Sequence, residues 1–399
     1  MEFLFLEEQC DMNRNLLLLA VLVAVLVGAS CGAFKIQTVK ASGIMYIRAN
    51  GSIDPLTANI TNMGNITYIF TDDNYGEVVI ERSNIVVDGG GYSLQGTGTG
   101  TGISLTGRSN VTIKNLEVKA FFFGIYFNSS SGSTVTGNNI LANYYHGLCL
   151  SLNSNNNNVY GNMVTGNGLG IIFDCSSSNT VCGNTIADNV YGIYVNAYMC
   201  ASSNNRIFHN NVLNNTVQVF LHDPIATVWD DGYPSGGNYW SNYTGVDSDH
   251  DGIGDSSHVI GGGDVDHYPL MGMFSNFTAT SEHHVQTICN SSISNFQFSG
   301  TAISFSASGK SGTAGFCRIC IPTALMNGSY AVSVGGAEVS YTLLPFSNST
   351  HSYLYFSYTH STKEVIIVPE FQLFIILPIF MTATLLTVMV YERKGGLCP

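Results

Sequence analysis

The chain has 399 residues, only 10% of them charged, and its formal net charge is −13. Average proteins carry about 25% charged residues, and so acidic a chain repels a phosphate backbone, which argues against nucleic acid as a partner. Ten cysteines are few for a disulfide scaffold at this length.

The first segment has the pattern of a signal peptide. Leu16 to Gly28 is an apolar run that follows Arg14 and precedes several small residues. Residues 1–11 carry four acidic side chains, the wrong charge for the start of such a peptide, so we expect the natural start at Met12. The prediction is a signal peptide over 1–33 and export of the remainder. Residues 34–82 contain alternating apolar stretches and are predicted to form the N-terminal cap and first coil.

A repeated tetrapeptide dominates the next region. GISL, GIYF, GLCL, GIIF and GIYV begin at Gly102, Gly124, Gly147, Gly170 and Gly192, which are 22, 23, 23 and 22 residues apart. The second and fourth residues of each are apolar, which is the period-two pattern of a strand with one buried face. The segments between them are rich in turn formers and too short for crossover helices. Residues 83–223 are therefore predicted to stack as the coils of a parallel β-solenoid.

A second motif runs in phase with the first. Asn138, Asn162, Asn184 and Asn210 hold equivalent places in successive coils, where we expect them to stack as a ladder at one bend, in left-handed backbone geometry. Phrases such as N-T-V-C-G-N-T-I at 179–186, together with the G-I-x-L tetrapeptides, resemble the right-handed parallel β-helix of the NosD and carbohydrate-binding/sugar-hydrolase superfamily, over about residues 83–270.

That resemblance implies the fold more than a function, because lyases, hydrolases, adhesins and non-enzymatic proteins share this helix. The NosD name implies a copper-linked maturation role. Copper prefers clustered His, Met or Cys ligands, and the best candidates are His267, Met271 and Met273. Packing in the segment that closes the helix explains these residues better than copper does.

Residues 224–274 are predicted to close the end of the helix, with Trp240 and Tyr243 over the last coil. An acidic loop in this lid matches the first half of a calcium loop, with a glycine at the sixth position. Its predicted ligands are Asp247, Asp249, Asp251, Ile253 through its carbonyl, and Asp255. The twelfth position is His258 instead of Glu, with Asp264 or Asp266 as substitutes. The alternative is a solvated acidic turn without metal.

Short alternating strands separated by Gly, Ser and Asn turns fill residues 275–368 and predict an immunoglobulin-like β-sandwich that serves as a stalk. Cys317 and Cys320 lie three apart in one such strand and therefore face opposite sides, so packing or a disulfide elsewhere is favoured over zinc.

Residues 369–399 contain an apolar run from Phe371 to Tyr391 followed by basic residues. The run is long enough to span a membrane, and with Pro369-Glu370-Phe371 it resembles the PEF-type sorting signal of archaeal surface proteins.

The predicted fold class is therefore all-β: a right-handed parallel β-helix, an immunoglobulin-like sandwich and a C-terminal transmembrane helix.

The candidate glycan contacts are Tyr126, Tyr191 and Tyr194, which would form a stacking strip on one flank of the helix. No catalytic residue or organic cofactor is predicted, because the coils lack aligned carboxylates and the motifs of β-helix polygalacturonases. Many N-x-[ST] sequons, such as those that begin at Asn59, Asn128 and Asn276, agree with an extracellular location.

The predicted function is non-catalytic contact with polysaccharide or another envelope glycan by a membrane-anchored cell-surface protein. The alternative is a polysaccharide lyase or glycoside hydrolase, in which acidic or basic side chains should converge in one groove. A copper-linked maturation factor is the second alternative.

Overall fold

The computed structural model describes residues 43–196, 200, 202–222 and 227–370, and every regular element among them is a β-strand. No helix in this part of the chain is long and apolar enough to cross a membrane. The predicted signal peptide at 1–33 and the predicted span from 371 to 391 lie outside the described residues.

Three long sheets form the solenoid, and each coil contributes one parallel strand to each sheet. The N-terminal ends of two sheets add an antiparallel pair: Met45–Ile47 with Ile53–Asp54, and Ile60–Met63 with Thr67–Phe70. Sheet 1 contains, in spatial order, Ile53–Asp54, Met45–Ile47, Val78–Ile80, Thr101–Thr106, Phe123–Asn128, His146–Ser151, Leu169–Asp174, Tyr191–Asn196 and Val217–His222. Sheet 2 contains Arg206–Phe208, Thr180–Cys182, Asn158–Tyr160, Thr134–Thr136, Val111–Lys114, Ile85–Asp88, Thr67–Phe70 and Ile60–Met63. Sheet 3 contains Tyr239–Trp240, Asn211–Leu213, Thr185–Ala187, Met163–Thr165, Asn139–Leu141, Glu117–Lys119, Ser93–Gln95 and Asn74–Tyr75.

The predicted tetrapeptides are confirmed as strands of sheet 1. Ile125 pairs with Ile103 and Leu148, and Phe127 pairs with Leu105 and Leu150, all in parallel register. These side chains are buried in one continuous core that the inner faces of the three sheets share. The glycine that begins each tetrapeptide is required by packing: a Cβ at Gly147 would lie 2.7 Å from the Gly170 carbonyl oxygen.

The predicted asparagine ladder is confirmed. The Asn162 amide Nδ2 donates to Asn184 Oδ1 at 2.9 Å, and Asn138 Nδ2 donates in the same way to Asn162 Oδ1 at 3.0 Å. Asn210 and Asn238 continue the series. From Asn138 to Asn210, each backbone N–H also donates to the amide oxygen of the next coil, as Asn162 N does to Asn184 Oδ1 at 3.0 Å, so the buried amides are satisfied.

The predicted backbone geometry of the ladder is wrong by one residue. The left-handed conformation belongs to the residue before each ladder asparagine, with φ of +64° at Gly137, +64° at Gly161, +65° at Gly183 and +57° at His209. This residue makes the tight turn, and the asparagine that follows points its amide inward. Two further ladders stand at the other corners: Asn143, Asn167, Asn189 and Asn215, and Asn157, Asn179 and Asn205.

The C-terminal end of the solenoid is closed by aromatic and acidic side chains. Trp229 and Trp240 are buried, with ring centroids 6.0 Å apart, and belong to the solenoid core. Asp266, on the hairpin strand Asp264–Asp266 that pairs with His258–Gly261, accepts bonds from Asn238 N and Trp240 Nε1, both at 2.8 Å. A carboxylate has no N–H to donate onward, so Asp266 ends the first ladder where no further coil follows.

Residues 273–369, the two-sheet module, form two antiparallel sheets of five strands each around a second core. Sheet 4 contains Met273–Thr278, His284–Cys289, Ala314–Pro322, His351–Thr359 and Tyr341–Leu343. Sheet 5 contains Ser292–Phe298, Ile303–Ser308, Lys363–Pro369, Tyr330–Val334 and Ala337–Val339. The immunoglobulin type of this module stays a prediction.

Arg318 fastens the module to the lid. Its side chain is 3% exposed, and its guanidinium donates to the Asp251 carbonyl at 3.3 Å and to the Pro234 carbonyl at 2.5 Å. The Asn211 amide makes a second link, because it accepts from Phe274 N at 2.8 Å and donates to Phe274 O at 2.9 Å. These contacts fix one edge of sheet 4 against the flank of the solenoid.

Candidate functional site

The three predicted glycan-contact tyrosines lie on the outer face of sheet 1, but the structure gathers only two of them. Tyr191 and Tyr194 have ring centroids 5.9 Å apart, and Tyr194 stacks on Phe220 at 4.9 Å. Tyr126 lies three strands away, about 14 Å from Tyr194 at the usual strand spacing. All three are half-buried and pack against the buried cluster of Cys149, Leu169 and Ile172. Their rings are thus only partly exposed.

The same face carries one half-buried carboxylate, Asp174, and two histidines, His146 and His222. His222 lies in register with Asp174, two strands away and beyond Asn196. Asp174 accepts from Ser151 Oγ at 2.8 Å and from Asn196 Nδ2 at 2.9 Å. Burial lowers the pKa of His146 to about 4, although the charge of Asp174 opposes this shift. His146 begins its strand and Asp174 ends the neighbouring strand, so the two side chains stand at opposite ends of the face. This arrangement does not form an acid/base pair.

A groove runs between the flank of the solenoid and the two-sheet module, with a volume of about 460 Å³. Its floor is a row of residues in parallel register at the ends of successive strands of sheet 2: Thr136, Tyr160, Cys182 and Phe208. Three of the four left-handed residues that follow them are glycines, so between these side chains the floor is bare backbone. The groove therefore follows the stacking direction of the coils.

Sheet 4 supplies the opposite wall of this groove. Phe274, Asn276 and Thr278 come from its edge strand, and His284 and Gln286 from the next strand. The wall is held in place because the ring of His209 stacks on Phe274, with centroids 4.1 Å apart and planes at 13°. Burial lowers the pKa of His209, so the ring is neutral at pH 7.

Charge in the groove is nearly balanced. Asp231 is the one carboxylate among its lining residues, and it is paired with Arg206 and accepts from Ser235 Oγ at 2.9 Å. Glycosidases use two carboxyl groups that flank the scissile bond. The lining offers an exposed Tyr160 ring together with hydroxyl, amide and imidazole groups. A mixed lining of this volume is typical of ligand clefts.

The acidic loop of the lid gathers three of the predicted calcium ligands. Carboxylate oxygens of Asp247, Asp249 and Asp255 lie within 4.8 Å of one another. Both oxygens of Asp247 accept backbone bonds, from Asp251 N at 3.0 Å and from Gly252 N at 2.9 Å, which fixes the turn. Burial raises the pKa of Asp247, and neighbouring acidic groups raise it further, so the cluster favours a positive charge.

Asp251 does not join this cluster. It is buried, its Oδ1 accepts from Ile253 N at 2.8 Å, and the positive charge of Arg318 acts on it from the two-sheet module. Ile253 is also buried and makes an isolated bridge to Leu270. The suggested substitutes bind elsewhere: Asp264 accepts from the Trp229 indole at 2.9 Å and Asp266 from that of Trp240 at 2.8 Å.

The copper candidates do not fit a copper centre. His267 Nδ1 lies 2.9 Å from Asp230 Oδ2, and Met271 and Met273 are half-buried in the strand and turn that begin the module. Within the described residues, the three aspartates of the lid are the only group of three or more His, Cys, Asp or Glu side chains arranged to share a metal ion. Carboxylates alone are the ligands of hard cations, not of copper.

Three long sheets surround one core, and asparagine ladders run along their corners. This architecture defines the chain as a parallel β-solenoid protein. The family model described as "Periplasmic copper-binding protein (NosD)" matches residues 39–245, which is just over half of the chain. The protein belongs to the NosD family. A comparison with curated protein sequences found no significant match.

Solved structures give only distant similarities. A mutant of the periplasmic alginate epimerase AlgG is 21% identical over 36% of this chain and 32% of its own length, with a TM-score of 0.22. The tailspike gp49 from Acinetobacter baumannii bacteriophage Fri1, a capsular polysaccharide depolymerase, is 10% identical over 76% of this chain and 79% of its own, also with a TM-score of 0.22. The Pseudomonas phage phi297 tailspike gp61 is 8% identical, over 76% of this chain and 63% of its own, with a TM-score of 0.15. At these scores the similarities carry no functional argument.

Proposed function

We propose that the protein is an exported envelope protein that binds a glycan chain in the groove between the solenoid and the two-sheet module, without cleaving it. The observation that carries the proposal is the groove itself: an open cleft of about 460 Å³ that crosses four coils and combines an aromatic ring with hydroxyl, amide and imidazole groups. Sugars present the matching surfaces, apolar ring faces and many hydroxyls. The paired Asp231 leaves little net charge in the groove, which favours neutral over acidic glycans.

The site differs from the one that the tyrosine pattern predicts. Tyr126, Tyr191 and Tyr194 remain the alternative contact surface for the same ligand class. A signal peptide and a membrane anchor belong to the same proposal, since they would hold the solenoid outside the cell, where envelope glycans lie. Glycosylation of its sequons would follow from that location. Open grooves enclose little of a ligand, so we expect micromolar to millimolar dissociation constants.

Glycan-array binding by the full-length protein tests this function, followed by titration with the best glycan. Tyr160→Ala should weaken binding about fivefold, because an aromatic stacking contact is worth about 1 kcal/mol and each 1.4 kcal/mol is tenfold. Tyr144→Ala removes an equally large ring that is 75% exposed but lies outside the groove, and should leave affinity unchanged.

The same titration separates the rival accounts. A loss of affinity in Tyr126→Ala with Tyr194→Ala, and none in Tyr160→Ala, would move the site to sheet 1. Reducing ends or unsaturated sugars that accumulate with time would establish an enzyme instead. Asn276 begins a sequon and lines the groove, so Asn276→Gln is the appropriate background if a glycan is attached there.

We also propose that the acidic loop binds Ca²⁺ as a structural ion through Asp247, Asp249 and Asp255. The gathered carboxylates support this, and the loop continues directly into the Asp251 carbonyl that Arg318 binds. The ion would therefore stabilise the junction between lid and module. It would take no part in chemistry.

Millimolar Ca²⁺ is expected to raise the melting temperature of the protein, because the unfolded chain lacks the gathered carboxylates. Asp249→Asn combined with Asp255→Asn should abolish the increase, whereas Asp188→Asn, at an exposed acidic position elsewhere, should preserve it. Differential scanning calorimetry with and without chelator gives the comparison. If the unmutated protein melts at the same temperature in both conditions, the loop is a turn that does not bind Ca²⁺.

A further inference from the structure

Two cysteines face each other across the middle of sheet 4. Cys289 ends the strand His284–Cys289, and Cys317 is its direct partner on the strand Ala314–Pro322, in antiparallel register. Both side chains are fully buried in the second core, and their thiols are hydrogen-bonded. Directly opposed residues in an antiparallel pair hold their Cβ atoms about 4.5–5.5 Å apart, which is within a small adjustment of disulfide geometry.

We propose that Cys289 and Cys317 are an oxidation site and form a disulfide bond across the centre of sheet 4 in the mature protein. The bond would join two strands that are 28 residues apart in sequence. It is independent of the proposed glycan binding, because neither residue lines the groove.

The remaining free cysteines of the described part do not offer such a pair. Cys149 lies between Tyr126 and Ile172 on sheet 1, and Cys182 lies between Tyr160 and Phe208 on sheet 2. Cys320 is on the strand of Cys317, but its cross-strand partners are Gln286 and Tyr353. The register therefore selects one partner for Cys289.

The compartment is suited to this oxidation. Cys175 and Cys200 already form a disulfide in the structure, and disulfides persist in oxidising compartments such as the periplasm and the cell surface. The NosD family is described as periplasmic.

A chain of hydrogen bonds leads from the buried thiol to the surface. Cys289 Sγ lies 3.4 Å from Tyr358 Oη, which lies 2.7 Å from Ser291 Oγ. His360 Nε2 lies 2.7 Å from that Ser291 oxygen, and His360 Nδ1 lies 2.7 Å from the hydroxyl of the exposed Thr313. Hydrogen bonds with the Cys317 thiol, and then with Tyr358 and Ser291, together lower the pKa of Cys289 to about 7 against the effect of burial. Cys289 is thus the thiol that ionises first.

The reaction is a thiol–disulfide exchange with an exogenous disulfide, such as oxidised glutathione or the disulfide of an oxidase. The Cys289 thiolate attacks one sulfur of that disulfide, which forms a mixed disulfide and releases one thiolate. The Cys317 thiol then loses its proton and attacks the Cys289 sulfur, which releases the second thiolate. Two electrons and two protons pass from the protein to the reduced oxidant. Because both thiols are buried in the finished module, the exchange belongs to the stage before sheet 5 covers sheet 4.

Peptide mapping by mass spectrometry tests the proposal on the full-length protein, exported to an oxidising compartment and alkylated under denaturing, non-reducing conditions. The expected result is a peptide pair that links Cys289 to Cys317 and separates on reduction, with Cys149 and Cys320 alkylated. Alkylation of both Cys289 and Cys317 in the exported protein would overturn the proposal. This measurement needs no variant, so a failure of a mutant to fold does not affect it.

A melting experiment adds an independent measurement. The oxidised protein should melt about 5–10 °C above the protein purified under reducing conditions, for the transition of the two-sheet module. Cys320→Ala should keep this difference and Cys317→Ala should lose it. A difference that persists in Cys317→Ala would assign the effect to another bond, such as Cys175–Cys200, and would contradict the proposal.

Discussion

Replacement of Asn162 by Asp should lower the free energy of unfolding by about 3–5 kcal/mol, which is the cost of an unpaired buried charge and several lost hydrogen bonds. The Asn162 amide nitrogen donates to Asn184 Oδ1 at 2.9 Å, to Val135 O at 2.8 Å and to Tyr160 O at 3.1 Å. A carboxylate donates none of these bonds and faces three oxygen atoms instead. It must either stay ionised in a buried site or take up a proton.

The matched control is Asn156→Asp, in the same coil and exposed. It should change stability by less than about 0.5 kcal/mol. Urea unfolding followed by circular dichroism gives both values, with unchanged slopes as the check that the same transition is compared. Similar losses for the two substitutions would contradict a structural role for the ladder.

Asp266 should contribute a stabilisation of the folded state that is lost as the pH rises. Burial raises the pKa of Asp266 to about 6, although bonds from Asn238 N, Trp240 Nε1 and Tyr268 N lower it. In the unfolded chain the group titrates near its ordinary value of 3.8, so between these values the folded state binds more protons than the unfolded state. The contribution is therefore fully present below about pH 4 and is lost as pH rises through about 6. A shift of two units corresponds to about 3 kcal/mol.

Asp266→Asn isolates this effect, since the amide does not titrate. The difference in unfolding free energy between the unmutated protein and Asp266→Asn should change by about 3 kcal/mol between pH 4 and pH 7, in favour of the unmutated protein at the acidic end. Asp188→Asn, at an exposed site, should give a difference that hardly depends on pH. A constant difference for Asp266→Asn as well would mean that its carboxylate has an ordinary pKa in the folded state.

The asparagine ladders illustrate how far sequence periodicity reaches. The ladder through Asn162 was predictable because equivalent positions recur at a nearly constant spacing. The ladders through Asn167 and Asn179 have the same spacing, and that signal was available in the sequence. The prediction puts the left-handed turn on the asparagine, which tolerates that geometry, but the turn lies one residue earlier, at Gly137, Gly161 and Gly183.

The acidic loop illustrates the opposite limit. Alternating aspartates predict a shared site, and three of them do gather. Asp251 stays outside the group: its carboxylate accepts from Ile253 N, and its backbone carbonyl binds Arg318, which is 67 residues further along the chain. In the same way Asp264 and Asp266 bind tryptophan indoles from distant segments. Spacing within the loop contains no information about these partners.

The sequence by itself determined the solenoid, its coil length and its first ladder, because every coil makes the same contacts with the coil one period away and so repeats the same residues. Only the tertiary structure decided the groove, the place of Asp251 and the pairing of Cys289 with Cys317. Those contacts join the solenoid, the lid and the two strands of sheet 4 across separations such as 63 residues for Asn211 and Phe274 or 84 for Pro234 and Arg318. Each such contact occurs once, so no period records it, and it forms only when complementary surfaces meet in the folded chain.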